Sequence, residues 1–150
     1  MRATGITTAV LCLCGIYGAG GQTAVSMAAV KSVYVGPFAE KPGAAALRAD
    51  LISELRKSHR LSVAASPEAA DAVITGAGET WIRGYYSLNP RVRNTSDAYP
   101  IYGGYLSIEL KGRGGETLWS YLVTPKRFGS EDIGRNLCGQ IVRKLVDALK

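Results

Sequence analysis

The chain has 150 residues, of which 18 are basic and 12 acidic, and its formal net charge at pH 7 is +6. A single histidine excludes most histidine-rich metal sites and leaves one candidate for a catalytic base of the triad type. The length predicts one domain once an amino-terminal segment is set aside.

The first 21 residues have the pattern of a secretory signal peptide. A basic start is followed by residues 6–19, which are almost uncharged and apolar or small, and then by a glycine-rich exit. The run is too short, and too diluted by Gly and Thr, to span a bilayer, which takes about 20 strongly apolar residues. We therefore expect cleavage after Gly21, with cleavage after Ser26 or Ala28 as the alternative. The mature form is then exported, without a transmembrane span, to the periplasm or the outer membrane.

Two cysteines inside the leader raise the alternative of a lipid anchor at Cys12 or Cys14. A lipoprotein signal needs a small residue before the lipid-bearing cysteine, but Leu11 and Leu13 stand there, so plain cleavage is favoured. Cleavage leaves Cys138 as the only cysteine, which excludes an intramolecular disulfide. We predict that Cys138 is a small buried residue on a helix, and the alternative is a reactive thiol or one that pairs between chains.

The net charge is a weak guide to the partner. Without Arg2 the mature chain has 17 basic and 12 acidic residues, a net charge of +5. In a cytosolic protein this balance would suggest nucleic acid. In an exported protein it fits anionic lipid headgroups or cell-wall polymers equally well. We therefore expect no nucleic-acid partner.

A flexible lead is predicted over 22–30 and a single domain over 31–150. Apolar periodicity and turn residues predict, in chain order, a strand over 31–38, a helix over 44–58, a short strand over 60–65, one helical turn capped by Ser66, a strand over 72–86, a strand over 102–111, a strand over 116–123 and a last helix capped by Ser130. The order β-α-β-β-β-β-α predicts an α+β fold. We expect one mixed, mostly antiparallel sheet of about five strands with the two main helices on one face.

Three segments carry a resemblance to small periplasmic α+β domains of Gram-negative envelope proteins. Residues 70–76 (ADAVITG) resemble the segment that enters the third strand of those domains, and residues 115–120 (GETLWS) resemble a turn and strand of their second hairpin. The strand and helix over 31–58 resemble their first unit. The group includes the amino-terminal domain of TolB and the curli secretion lipoprotein CsgG. The resemblance implies an envelope location and this fold, and it implies no catalytic residues.

The segment 84–100 departs from that shared pattern. Its Asn, Pro, Ser and Asp residues lack any period, which predicts a long loop. Long loops on rigid scaffolds commonly carry recognition, and Tyr and Arg are common in binding hot spots. Trp81, Tyr102 and Tyr105 flank the loop and belong to the same candidate region. We predict that the loop contacts an envelope protein, or an anionic glycan or lipid surface, through Arg83, Tyr85, Tyr86, Arg91, Arg93 and Tyr99. The alternative is a partly ordered hairpin tip whose tyrosines fill strand positions.

Catalysis is not expected, and no cofactor or metal site is predicted. The alternative is an exported hydrolase that uses His59, alone or as a dyad with Cys138. Cationic and polar neighbours around His59 favour a solvated helix end instead. The carboxylate pair Asp50 and Glu54 has the spacing of a cation site but is more typical of a charged helix surface. Glu131 and Asp132 are explained by the dipole of the last helix.

Overall fold

The computed structural model describes residues 26–87, 98–125 and 132–150. The described segments contain five strands, two α-helices and two single turns of 3-10 helix. The turns are Met27–Ala29 and Pro67–Ala69, and the main elements are β1 (Ser32–Phe38), α1 (Ala44–Ser58), β2 (Ser62–Val63), β3 (Ala72–Ser87), β4 (Ala98–Gly112), β5 (Thr117–Val123) and α2 (Ile133–Ala148).

The five strands form one open sheet in the order β2-β1-β3-β4-β5. Strand β1 runs parallel to β2 and to β3, whereas β3 with β4 and β4 with β5 are antiparallel. The antiparallel pairs are the long ones, because they are consecutive in the chain and the second is closed by the glycine-rich turn after Gly112. The predicted α+β fold with the order β-α-β-β-β-β-α is confirmed.

Both helices pack on the same face of this sheet. A Cβ placed on Gly78 of β3 would lie 2.7 Å from Leu47 Cδ1 of α1, and one placed on Gly104 of β4 would lie 3.5 Å from Leu137 Cδ1 of α2. Gly78 pairs with Leu106, two residues along β4 from Gly104, so both glycines face the helices. The sheet therefore approaches both helices closely because small residues line its centre.

The core is built from leucines at helical spacing and from every second residue of the central strands. Residues at 5% exposure or less on the helices pack against β-branched residues and leucines of the strands. They are Leu47, Leu51, Leu55, Leu137, Ile141 and Leu145 of the helices and Val33, Val35, Ile74, Leu106, Ile108 and Leu110 of the strands. Spacing of i, i+4 in the helices and i, i+2 in the strands puts all of these side chains on one side of their element.

The predicted strand over 72–86 is confirmed, whereas the predicted loop over 84–100 is too long at both of its ends. Residues 84–87 continue β3, and β4 begins at Ala98 rather than at Tyr102. Tyr86 pairs with Tyr99, and Tyr85 with Pro100, so the two ends of the segment hold each other in extended backbone. A proline is tolerated there because a two-stranded ribbon leaves one side of each strand unpaired. Residues 88–97 lie outside the described segments.

Two other boundaries differ from the predictions. Strand β2 covers only Ser62–Val63, because β1 pairs with it at Ser32 and Val33 alone. Helix α2 begins at Ile133, after Asp132, and the predicted cap Ser130 and its neighbour Glu131 lie outside the described part of the chain.

The described domain begins before the predicted first strand. Val30 is buried in the core, and Met27 packs against the core from the first 3-10 turn. The predicted leader over 1–21, with Cys12 and Cys14, lies outside the described segments. None of the helices within those segments has the length and apolar character needed to cross a membrane.

Candidate binding ribbon

Strands β3 and β4 extend together beyond the rest of the sheet. Strand β1 pairs with β3 only as far as Gly76, and β5 pairs with β4 only as far as Leu106. Beyond these points β3 and β4 pair only with each other, out to Ser87 and Ala98. We call residues 79–87 with 98–105 the ribbon. Within the described segments no third strand lies beside it.

Large apolar and aromatic side chains are exposed along the ribbon. Exposed fractions range from 44% for Trp81 to 66% for Tyr85. Five of the seven large hydrophobic side chains that are exposed in the described segments lie here, namely Trp81, Ile82, Tyr85, Tyr86 and Tyr99. Single exposed apolar residues are ordinary in soluble proteins, whereas five of them on one short two-stranded ribbon make it a candidate interaction site.

A β-bulge at Arg83 divides the ribbon. Ile82 pairs with Tyr102 and Gly84 pairs with Ile101, so Arg83 is an extra residue on β3 without a counterpart on β4. Bulges raise the local twist and redirect side chains. Arg83 is exposed, and within the described segments its guanidinium forms no ion pair.

The base of the ribbon is organised by an indole lying across a glycine. Trp81 is opposite Gly103, and a Cβ on Gly103 would lie 2.8 Å from Trp81 Nε1 and 2.9 Å from its Cε2. The rings of Trp81 and Tyr105 are 6.5 Å apart and tilted by 55°, a geometry typical of favourable aromatic pairs. Because Gly103 has no side chain, the indole of Trp81 can lie directly against the backbone of β4, and nearly half of the Trp81 surface stays exposed.

The structure brings together four of the six predicted site residues. Arg83, Tyr85 and Tyr86 lie on β3, and Tyr99 lies on β4 as the direct partner of Tyr86. Arg91 and Arg93 fall outside the described segments. Tyr85, Tyr86 and Tyr99 fill strand positions, as the hairpin alternative expects, and each of them is more than half exposed.

Ile82 and Gly103 of the ribbon were missed by the sequence analysis, which named Trp81 in the same region but not among the six site residues. Trp81 and Ile82 are exposed, and Gly103 seats the indole of Trp81. The sequence signal for this arrangement was a tryptophan, Trp81, on one strand and two adjacent glycines, Gly103 and Gly104, on the next. The signal can be interpreted only when the register of β3 and β4 is known.

The predicted alternative of a His59–Cys138 dyad is not formed. Cys138 is fully buried on α2, and its thiol donates to the carbonyl of Leu47 in the first turn of α1, with Sγ and O 3.4 Å apart. His59 follows the last residue of α1, has a left-handed backbone conformation with φ of 52°, and is exposed. Twelve residues separate Leu47 from His59, which is about 18 Å along a helix.

Burial also suppresses the reactivity of the thiol. Desolvation, and then the nearby charges of Asp50 and Glu54, raise the pKa of Cys138 to about 12. A thiolate is the nucleophilic form of cysteine, so this environment opposes nucleophilic catalysis. The prediction that Cys138 is a buried small residue on a helix agrees with this position.

Two of the other carboxylates singled out in the sequence form ion pairs with a basic residue three positions further along the chain. Glu54 pairs with Lys57 at 2.7 Å, and Asp132 pairs with Arg135 at 3.4 Å. No group of three or more His, Cys, Asp or Glu side chains suited to a metal occurs within the described segments. Asp50 and Glu54 are half-buried on the side of α1 that faces α2, where a Cβ on Gly134 would lie 2.7 Å from Asp50 Oδ2 and one on Gly139 3.8 Å from Glu54 Oε2.

A shallow groove of about 490 Å³ lies beside the start of α1, with Pro37, Phe38 and Arg48 among its lining residues. The Arg48 guanidinium donates from Nη2 to the carbonyl of Val35 at 2.7 Å and from Nε to that of Gly36 at 2.9 Å. These bonds join α1 to the end of β1. The arginine is therefore engaged by backbone, which favours a structural role for it.

The fold is shared with proteins of known structure. Two structures of the PelC dodecamer from Paraburkholderia phytofirmans, one of them a leucine-to-methionine variant, are each 20% identical to this chain and have TM-scores of 0.52 and 0.50. Each covers 81% of this chain, and the match spans 91% and 90% of PelC. A DUF4136 family protein from Bacteroides thetaiotaomicron is 15% identical over 85% of this chain and 93% of its own, with a TM-score of 0.46.

No protein-family model matches the chain, and no curated protein matches it in sequence. At 20% identity the likeness to PelC shows the fold alone. The more specific resemblance to TolB and CsgG stays a prediction. The chain is thus a small α+β domain that shares its fold with PelC.

Proposed function

We propose that this chain is an exported accessory domain of the cell envelope that binds a partner protein through the ribbon and catalyses no reaction. The observation that carries the proposal is the ribbon itself: two strands that leave the sheet together and expose Trp81, Ile82, Tyr85, Tyr86 and Tyr99. The predicted leader over 1–21 supports export. PelC is described as a dodecamer, and an assembly role for this chain agrees with that description.

The energetics of an isolated ribbon support a bound partner. Two strands without neighbours are marginally stable in water, so apolar side chains placed there contribute little to the fold. Covering one of them fully in an interface would contribute roughly 1.5–3 kcal/mol. The site tyrosines would thus contribute far more to association than they do to the free domain.

The residue types favour a protein partner. Tyr, Trp and Arg are enriched in interface hot spots, where a rigid aromatic ring delivers contact area at low entropic cost. Arg83 lies on the bulge between the Trp81 end and the Tyr86–Tyr99 pair, where its fork of donors can reach a carboxylate. An anionic glycan is the other class of partner that Arg83 and the positive net charge would suit.

The proposal is tested by capture from envelope extracts with a ribbon variant that combines Tyr85→Ser, Tyr86→Ser and Tyr99→Ser. We expect each hot-spot tyrosine to cost about 2 kcal/mol, roughly thirtyfold in Kd, so that the captured protein is lost while the melting temperature is retained. The captured protein is identified by mass spectrometry.

The matched control carries Ala49→Ser and Arg56→Ser, at two exposed positions of α1 outside both the ribbon and β5. Capture that survives in the control and disappears in the ribbon variant supports the proposal. Equal loss of capture in both variants would show that capture does not depend on the ribbon and would contradict the proposal. If Arg83→Ala abolishes retention on an anionic polysaccharide while the tyrosine variant binds normally, the partner is a glycan.

A further inference from the structure

Strand β5 is the outermost strand on its side of the sheet. Nothing in the described segments pairs with its free edge. Proteins commonly protect such an edge with charged residues, proline or bulges, because unpaired N–H and C=O groups recruit other strands. The seven residues of β5, TLWSYLV, include no charge and no proline, and the register shift lies only at their start, opposite Leu110 and Lys111.

The side chains of β5 add an apolar surface along that edge. Tyr121 is 37% exposed and Leu122 is 59% exposed, and they are the exposed large hydrophobic residues of the described segments that do not belong to the ribbon. The rings of Trp119 and Tyr121 stack 5.8 Å apart at an angle of 14°. The opposite edge of the sheet is β2, which has only two residues and cannot offer a matching ladder.

The sequence of β5 is nearly the same when read in either direction from Ser120. Leu-Trp-Ser-Tyr-Leu has leucine at both ends and an aromatic residue on each side of the serine. Two such strands pairing antiparallel about a two-fold axis at Ser120 would place Trp119 of each copy opposite Tyr121 of the other. A two-fold interface needs this kind of self-complementary surface.

We propose that two copies of this chain pair antiparallel along β5, with the two-fold axis at Ser120, to form one continuous ten-stranded sheet. The absence of charge on β5 removes the repulsion that a two-fold contact between like-charged strands would suffer. Backbone hydrogen bonds supply the ladder, and the aromatic pairs set its register. This inference concerns the edge opposite β2 and is independent of partner binding by the ribbon.

The test uses a charge placed on the axis. Ser120 is exposed, so Ser120→Lys and Ser120→Glu each change the edge without disturbing the core. In a homodimer the two new charges face each other directly, so we expect the dimer of each variant alone to be lost, leaving a monomer even at about 100 µM. In an equal mixture of the two variants, lysine faces glutamate and the dimer returns as a heterodimer. The matched control is Ser53→Lys, at an exposed position of α1.

The oligomeric state of each purified protein is measured by analytical ultracentrifugation at up to about 100 µM. The proposal requires a dimer for the wild type and Ser53→Lys, a monomer for each Ser120 variant alone, and a heterodimer for their mixture. A monomeric wild type overturns it. So does a Ser120→Lys variant that stays dimeric, or a pair of variants whose mixture stays monomeric.

Discussion

Asp71 and Ser32 are hydrogen-bonded to each other in both directions. Ser32 donates to Asp71 Oδ2 from its Oγ at 2.8 Å and from its backbone N–H at 2.9 Å, and the N–H of Asp71 donates back to Ser32 Oγ at 3.0 Å. The backbone N–H of Lys31 donates to the same carboxylate oxygen at 3.1 Å. These bonds join the residue before β3 to the start of β1, and Arg113 approaches the other carboxylate oxygen at 3.5 Å. Asp71, in the segment 70–76 on which the family resemblance rests, therefore stabilises the fold by joining the starts of β1 and β3.

Replacing Asp71 with Asn should make the protein less stable near neutral pH and weaken its acid sensitivity. The Ser32 side chain, and then the N–H groups of Lys31 and Ser32, hold the pKa of Asp71 below its ordinary value of 3.8. A carboxyl group with a lowered pKa in the folded state stabilises the fold above its unfolded pKa, and that contribution is lost as pH falls through the folded value. The free energy of unfolding, measured by urea denaturation from neutral pH down to about pH 3, should therefore fall less steeply with pH for Asp71→Asn than for the wild type.

The control for Asp71 is Asp147→Asn. The side chain of Lys150 holds the pKa of Asp147 below its ordinary value, but this exposed pair lies in the last turn of α2. We expect little change in the unfolding free energy at neutral pH, because exposed ion pairs contribute little. Equal destabilisation by the two substitutions would contradict a special role for Asp71.

Cys138 should not react with a thiol reagent while the protein is folded. Its thiol is fully buried, and burial raises its pKa to about 12. In a chain with Cys12→Ser and Cys14→Ser, labelling by an aromatic disulfide at about pH 8 should be at least about a hundredfold slower in buffer than in denaturant. Comparable rates in the two conditions would show that the thiol is accessible and would reopen nucleophilic chemistry at this residue.

Truncating a core leucine should cost far more stability than truncating an exposed one. Leu51 is 0% exposed in the contact between α1 and the sheet, so we expect Leu51→Ala to lower the unfolding free energy by about 2–5 kcal/mol. Leu122 is 59% exposed, and in a Ser120→Lys background, which keeps the β5 edge unpaired, Leu122→Ala should change it by less than about 0.5 kcal/mol. Urea denaturation of both variants gives the comparison, and similar costs would mean that the core is misassigned.

Adding a methyl group at Gly103 should displace Trp81. The new Cβ would lie within 3.0 Å of the indole, so the ring must move into solvent. In a Trp119→Phe background, where Trp81 is the only tryptophan, Gly103→Ala should shift the fluorescence emission to longer wavelength. Gly84→Ala is the matched control in the same ribbon, because no atom of the described segments lies within 4 Å of its Cβ position, and its emission should not change.

The local patterns were sufficient for most of the fold. The spacing of Leu47, Leu51 and Leu55 predicted α1 at its observed bounds, and the glycine-rich segment after Gly112 predicted the hairpin of β4 and β5. These features depend on neighbours within a few residues or on one short turn. Part of the candidate site was predictable in the same way, because Tyr and Arg are concentrated in one stretch of the chain.

The sequence by itself determined the fold class, the order of the elements and the apolar faces that form the core, because each depends on periodicity within one element. Only the tertiary structure decided that the Tyr/Arg segment is a ribbon at both ends, since Tyr86 and Tyr99 hold their extended backbone by pairing across 13 positions of the chain. The tertiary structure also decided that Trp81 lies over Gly103 and that the buried thiol of Cys138 donates to the carbonyl of Leu47. Each of these depends on which surfaces meet when the chain packs, and no local pattern specifies that.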